Sequence, residues 1–148
     1  MTAATRLDEL ARGWEARPLL RELGITVREI ESGRVLLAME RNGTNVSGVR
    51  DSINGGVPAA CAELAAHIAL GTLLDEGERI DGTQDVSVSY VYSATSRWTM
   101  AEARVLRHGR LSVVDVDLRV GEAGEAGEDV GRLNAKARVT CSLVRERR

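Results

Sequence analysis

Glu63 and His67 are the two side chains in this sequence best suited to chemistry, because they interrupt an otherwise apolar run. They lie four residues apart, so on a helix they share one face. A carboxylate so placed can take a proton from water or attack a carbonyl, and an imidazole can orient it or move a proton. Seven residues before Glu63, Gly56 starts the same line, preceded by Asn54-Gly55; Gly71 and Asp75 continue it. The first N–H groups of a helix lack intrahelical acceptors and favour negative charge. They can stabilise the oxyanion of a carbonyl under attack. Gly55 and Gly56 have no Cβ, so a carbonyl can approach their backbone closely.

Plainer readings stand beside this one. Glu63 and His67 can be a helix-face pair worth about 0.2–0.5 kcal/mol, exposed or bonded across a contact between copies. Against that, an unpaired carboxylate is costly to bury, and the rest of the run reads as buried. The spacing also suits two metal ligands, but His108 is the only other histidine and lies at a turn. Asn-Gly-Gly is also an ordinary turn before a helix.

The elements that must position these residues follow from periodicity. Residues 57–76 read as one long helix with Pro58 in its first turn and Gly77 as its C-cap. It is apolar on nearly every side, which marks a buried helix. Residues 7–22 predict a short helix and a further turn or two, interrupted by Pro18 and stopped by Gly24. Residues 25–31 and 34–41 predict a hairpin around Ser32-Gly33. Residues 42–53 are a polar loop. Four strands follow: 83–92, 98–107, 111–120 and 133–144. In the last, Leu133, Ala135, Ala137, Val139, Cys141 and Leu143 alternate with polar residues, the period of a half-buried strand. The acidic, Gly-rich stretch 121–131 reads as a long hairpin loop. Short connections favour antiparallel pairing. An antiparallel sheet curled around one long helix satisfies this order, an α+β hotdog architecture over residues 1–148, with 1–23 an N-terminal helical segment. A lone sheet cannot cover such a helix on all sides, so at least a homodimer is expected.

Composition removes other classes. The 148 residues are 43% hydrophobic and 28% charged, an ordinary globular mix, with a formal net charge of -2. No basic excess exists to neutralise phosphates, and aromatics are 3% with no Phe, so nucleic acid is not the expected partner. No apolar run approaches a membrane span, and no signal peptide is visible. Cys61 and Cys141 have neither framework nor metal spacing and read as reduced, buried thiols of a cytoplasmic protein.

Asn54-Gly55-Gly56-Val57, followed by Ala62-Glu63-Leu64-Ala65, resembles the phenylacetate-degradation (PaaI-type) hotdog acyl-CoA thioesterases. That family carries His-Gly-Gly at this helix start and an Asp or Glu nine residues after the His. Leu23-Gly24-Ile25, the Asn45 to Gly48 segment, residues 85–94 and residues 101–110 are similar as well. The resemblance implies hydrolysis of an acyl-CoA thioester, with no bound cofactor because CoA arrives as part of the substrate. Glu63 would be base or nucleophile, and Gly56, with Gly55, would polarise the carbonyl. The carboxylate and the oxyanion donor would come from different protomers of a dimer, or of a tetramer built from two dimers. Asn45 would orient water or the carbonyl, Thr83 would lend a hydroxyl, and His67 would orient Glu63 or the water. Arg97, Arg107 and Arg110 are candidates for the CoA phosphates. Two departures stand out: Asn54 in place of the family's His, and Ser93-Ala94 in place of Pro-Ala. The lost His motivates an alternative, a non-catalytic acyl-CoA-binding protein. Glu63 with His67 motivates a further one, an enoyl-CoA hydratase.

Overall fold

The computed structural model describes residues 1–121 and 131–146. Their order is α1 (Ala3–Glu15), α2 (Pro18–Glu22), β1 (Ile25–Glu31), β2 (Arg34–Glu40), a short 3-10 turn (Val49–Asp51), α3 (Gly56–Gly71), β3 (Glu78–Tyr90), β4 (Trp98–Arg107), β5 (Leu111–Gly121) and β6 (Arg132–Arg145). The strands form one antiparallel sheet in the order β1-β2-β4-β5-β6-β3. This is the expected hotdog: a six-stranded antiparallel sheet with α3 against its inner face.

Period-two patterning decides which face is which. On β6, Ala135, Ala137, Val139, Cys141 and Leu143 are buried, and on β5 Val114, Val116 and Leu118 face the same way. These close on Cys61, Leu64, Ala65, Ile68 and Ala69 of α3. The outer face is polar, with Asp115 paired to Arg138, Asp117 to Lys136, and Arg34 to Glu29, Glu31 and Glu102. The carboxylates around Arg34, Glu102 above all, hold its guanidinium more firmly protonated than usual.

Several boundaries differ from the periodicity reading. Helix α3 stops at Gly71, not at residue 76. The Thr72 hydroxyl donates to Ala69 O and accepts from Gly33 N–H, so it turns the chain and pins it to the β1–β2 hairpin. Gly77 therefore serves the turn into β3, with φ +77, and is no C-cap. Helix α1 starts at Ala3, earlier than expected, because the Thr2 side chain caps it by accepting from Thr5 N–H. Strand β3 starts five residues before the expected point, since residues 78–82 already pair with β6. Tyr90, which ends β3, and Tyr92 just beyond it are 54% and 51% exposed. Of the loop read at 121–131, residues 122–130 lie outside the described residues.

Candidate functional site

From Cys61 to Gly71, α3 is buried except along one line, Glu63, His67 and Gly71, each partly exposed. Helix α1 covers the C-terminal end of that line. Leu10 packs against Gly71, whose missing Cβ would stand 3.3 Å from Leu10 Cδ2. The Trp14 ring lies 6.3 Å from the His67 ring, and the Arg17 guanidinium caps Trp14 at 3.6 Å. Glu63 is one turn beyond this cover.

His67 Nε2 and Thr83 Oγ1 are 2.8 Å apart, which joins α3 to β3. Burial pushes the His67 pKa below its ordinary 6.5; the charge of Glu63 opposes that shift and Arg17 adds to it. The imidazole is therefore neutral near pH 7, with one ring N–H and one bare nitrogen. Thr83 is also the β3 partner of Cys141. Burial raises the Cys141 thiol; the Thr83 hydroxyl eases that and the charge of Glu63 adds to it. Glu63, His67, Thr83 and Cys141 thus form one cluster, brought together by α3, β3 and β6. Among the described residues no hydrogen bond occupies the Glu63 carboxylate, which leaves it open to a water or a substrate. Cys61, fully buried on α3 itself, has its thiol pushed up to about 12 and is inert.

The glycine turn lies at the other end of the line. Gly55, the N-cap of α3, has ordinary helical backbone (φ -59, ψ -25), so left-handed geometry is not why glycine stands there. What the pair provides is uncovered backbone. Gly56 N–H, read as a free oxyanion donor, instead donates to Asn54 Oδ1 at 3.0 Å. The Asn54 side chain thus closes a turn over the first N–H of α3 while its carbonyl accepts from Val57 N–H. Tyr90, which the residue reading did not single out, donates its hydroxyl to Gly55 O. The one signal for it was scarcity: Tyr90 and Tyr92 are half of the four aromatic residues.

Asn45 is not presented to this site. It is wholly buried; its Nδ2 donates to Leu23 O and Glu40 O, and its Oδ1 accepts from Asn42 N–H. Its carbonyl accepts from Asn54 N–H, so it anchors the loop that delivers the glycine turn. Arg97 pairs with Glu40, whereas Arg107 and Arg110 line a separate open pocket of about 530 Å³ with Asp81 and Leu111. Among the described residues no cluster of three His, Cys, Asp or Glu side chains suits a metal ion. No helix among them is long and apolar enough to cross a membrane.

Comparison with known proteins adds to this geometry. The family model described as thioesterase superfamily matches residues 51–125, half of the chain, a span that contains the glycine turn, α3, β3, β4 and β5. A thioesterase family protein from Silicibacter pomeroyi superposes with a TM-score of 0.82 at 20% identity, covering 95% of this chain and 99% of that one. A thioesterase from Haemophilus influenzae gives 0.78 at 21% identity, covering 94% and 90%. A thioesterase variant from Pseudomonas aeruginosa gives 0.77 at 20%, covering 95% and 94%. At such identities the likeness shows the fold. No curated protein matches the sequence.

Proposed function

This chain belongs to the thioesterase superfamily, and on that premise we propose that it hydrolyses an acyl thioester, acyl-CoA in class, with Glu63 as the catalytic carboxylate. The observation that carries the reading is the placement of Glu63. It is a partly exposed carboxylate with no hydrogen bond among the described residues, on a helix apolar nearly everywhere else, beside a neutral imidazole and a hydroxyl.

In the simplest mechanism Glu63 accepts a proton from water as the water oxygen attacks the thioester carbon. The carbonyl oxygen takes the negative charge and is met by backbone N–H at a helix start. Collapse breaks the C–S bond, and the proton held by Glu63 passes to the departing thiolate, giving acid and thiol. Thr83, braced by His67, is within the same cluster and can hold the water. Gly56 and Glu63 of one chain are two helical turns apart, roughly 10 Å along the axis. That is too far for both to act on one carbonyl, so the oxyanion donor comes from the glycine turn of a second copy. The Asn54 side chain must then release Gly56 N–H to the substrate.

That same contact favours a second reading, a non-catalytic acyl-CoA binder, because it occupies the donor. One experiment separates the two. Thiol release from a panel of acyl-CoA esters is followed with a thiol-reactive dye, for the natural chain and for Glu63→Gln. Turnover falling by about a thousandfold with binding retained supports hydrolysis at Glu63. Saturable binding without thiol release in the natural chain selects the binder, and undiminished turnover in Glu63→Gln removes the role of Glu63.

A further inference from the structure

Beside the glycine turn, and walled in part by its Gly55, lies an open pocket of about 380 Å³. Its walls include Ile53, Gly55, Tyr90, Val91, Tyr92 and Asn134. Val91 and the two tyrosines are half exposed, an apolar and aromatic rim in a chain poor in aromatics. The volume is within the range of small-molecule sites, which typically combine apolar walls with a few placed polar groups.

Asn134 supplies such a group. It is 2% exposed, and its Nδ2 donates to Tyr92 O. Its backbone carbonyl accepts from Val91 N–H at 2.7 Å and Tyr92 N–H at 3.0 Å. These bonds fix the segment that walls the pocket. The bond from Nδ2 to the Tyr92 carbonyl orients the amide, and among the described residues Oδ1 is buried without a partner. Buried acceptors are nearly always paired, so one that the described residues leave unpaired is a place for a donor from a ligand or a water.

We propose that this pocket receives part of the ligand bearing a hydrogen-bond donor, with Asn134 Oδ1 as the acceptor that selects it. The donor is a hydroxyl on the acyl chain or an amide N–H of the thiol arm. The identification of the ligand rests on the thioester reading; the demand for a donor rests on Asn134 alone. A water can satisfy Oδ1 in the free protein. A ligand that replaces that water with its own donor keeps the bond, and one that puts a methylene or an ester oxygen there loses it. One neutral hydrogen bond against an unpaired acceptor corresponds to about tenfold in affinity.

The test is equilibrium binding of two matched pairs of uncleavable thioethers. In the first pair, S-(3-hydroxybutyl)-CoA is set against S-butyl-CoA. In the second, S-butyl-N-acetylcysteamine is set against the analogue whose amide N–H is replaced by an ester oxygen. The donor-bearing member of one pair should bind about tenfold more tightly, and the pair that discriminates identifies the source of the donor. Asn134→Leu should erase that preference, and Asn134→Asp, which keeps an acceptor, should retain it. Both members of a pair are measured on one protein, so a variant that only deforms the pocket weakens both and keeps their ratio. Equal affinities within both pairs, a preference that survives Asn134→Leu, or no binding of any of the four would overturn the proposal. If Asn134→Leu does not fold, loss of the preference in Asn134→Asp overturns it. Thiol release from butyryl-CoA is measured in parallel. Preference without release ends the hydrolase reading and leaves this one standing, and release without preference does the reverse.

Discussion

The two edges of the sheet are finished in different ways. Strand β1 is short, seven residues, with a register shift between Val27 and Glu29. Helices α1 and α2 pack beside it, and Glu15 Oε1 accepts the Val27 N–H at 2.7 Å, so a helix side chain closes the edge. Strand β3 is thirteen residues long and among the described residues pairs with β6 alone. Along it Asp81, Gln84, Asp85, Ser87 and Ser89 are exposed. It also bears Thr83, which holds His67, and Tyr90, which holds the Gly55 carbonyl. The chain closes one edge with a helix side chain and leaves open the edge that carries Thr83 and Tyr90. A long bare edge invites another strand. In the proposed dimer a second β3 fills it and brings a second glycine turn toward Glu63.

The largest effect should follow from parting the copies. If the site needs both, specific activity disappears on dilution in step with the dimer fraction seen by sedimentation; activity per chain that stays constant through full dissociation breaks the comparison. Next comes the hydroxyl on the bare edge. Thr83→Val should lower kcat about tenfold, the worth of one hydrogen bond, measured per folded chain because His67 also loses its partner on β3. A larger loss in KM than in kcat would move Thr83 from the reaction to binding. On the capped edge the expectation reverses. Glu15→Ala leaves the Val27 N–H without its charged acceptor, so denaturant unfolding should show a loss of about 1–2 kcal/mol with activity per folded chain unaltered. Altered activity there would mean that the two edges are coupled.

The smallest effect is a pH slope. The folded state binds fewer protons at His67 than the unfolded state does, because burial lowers its pKa from 6.5. Its contribution is complete above that value and is lost as pH falls from there toward the lowered folded pKa. Denaturation midpoints measured from about pH 8 to about pH 5 should fall on the acid side, and His67→Gln should flatten that fall. An unchanged slope in His67→Gln would place the titration elsewhere.

Local pattern made the sheet legible. The strict alternation from Leu133 to Leu143 predicts β6, and the all-round apolar run around Glu63 predicts a buried helix. The errors lie where distant residues decide. Helix α3 ends early because Thr72 bonds Gly33, 39 residues away. Asn45 looked like a ligand to substrate, yet it is consumed by Leu23, Glu40 and Asn42 once the loop folds back on β1 and β2. Spacing on one helix set the Glu63-His67 line. Family likeness named Thr83 as a hydroxyl but not its bond to His67, and no local pattern announces a bond between residues 16 apart on two elements. Tyr90 and Asn134 were invisible for the same reason: their partners are 35 and 42 residues distant.

One mixing experiment tests the shared site most directly. Glu63→Gln lacks the base. Gly56→Pro lacks the N–H of the helix start; because Gly55 before it has αR backbone, which proline disfavours in its predecessor, the variant's fold is verified by circular dichroism before mixing. Each alone should be nearly inactive. Co-refolded, they form mixed dimers in which one of the two sites pairs an intact carboxylate with an intact turn, so activity should return to about a quarter of the natural level. Mixed dimers, verified by differential tagging, that stay as inactive as their parents would contradict the account.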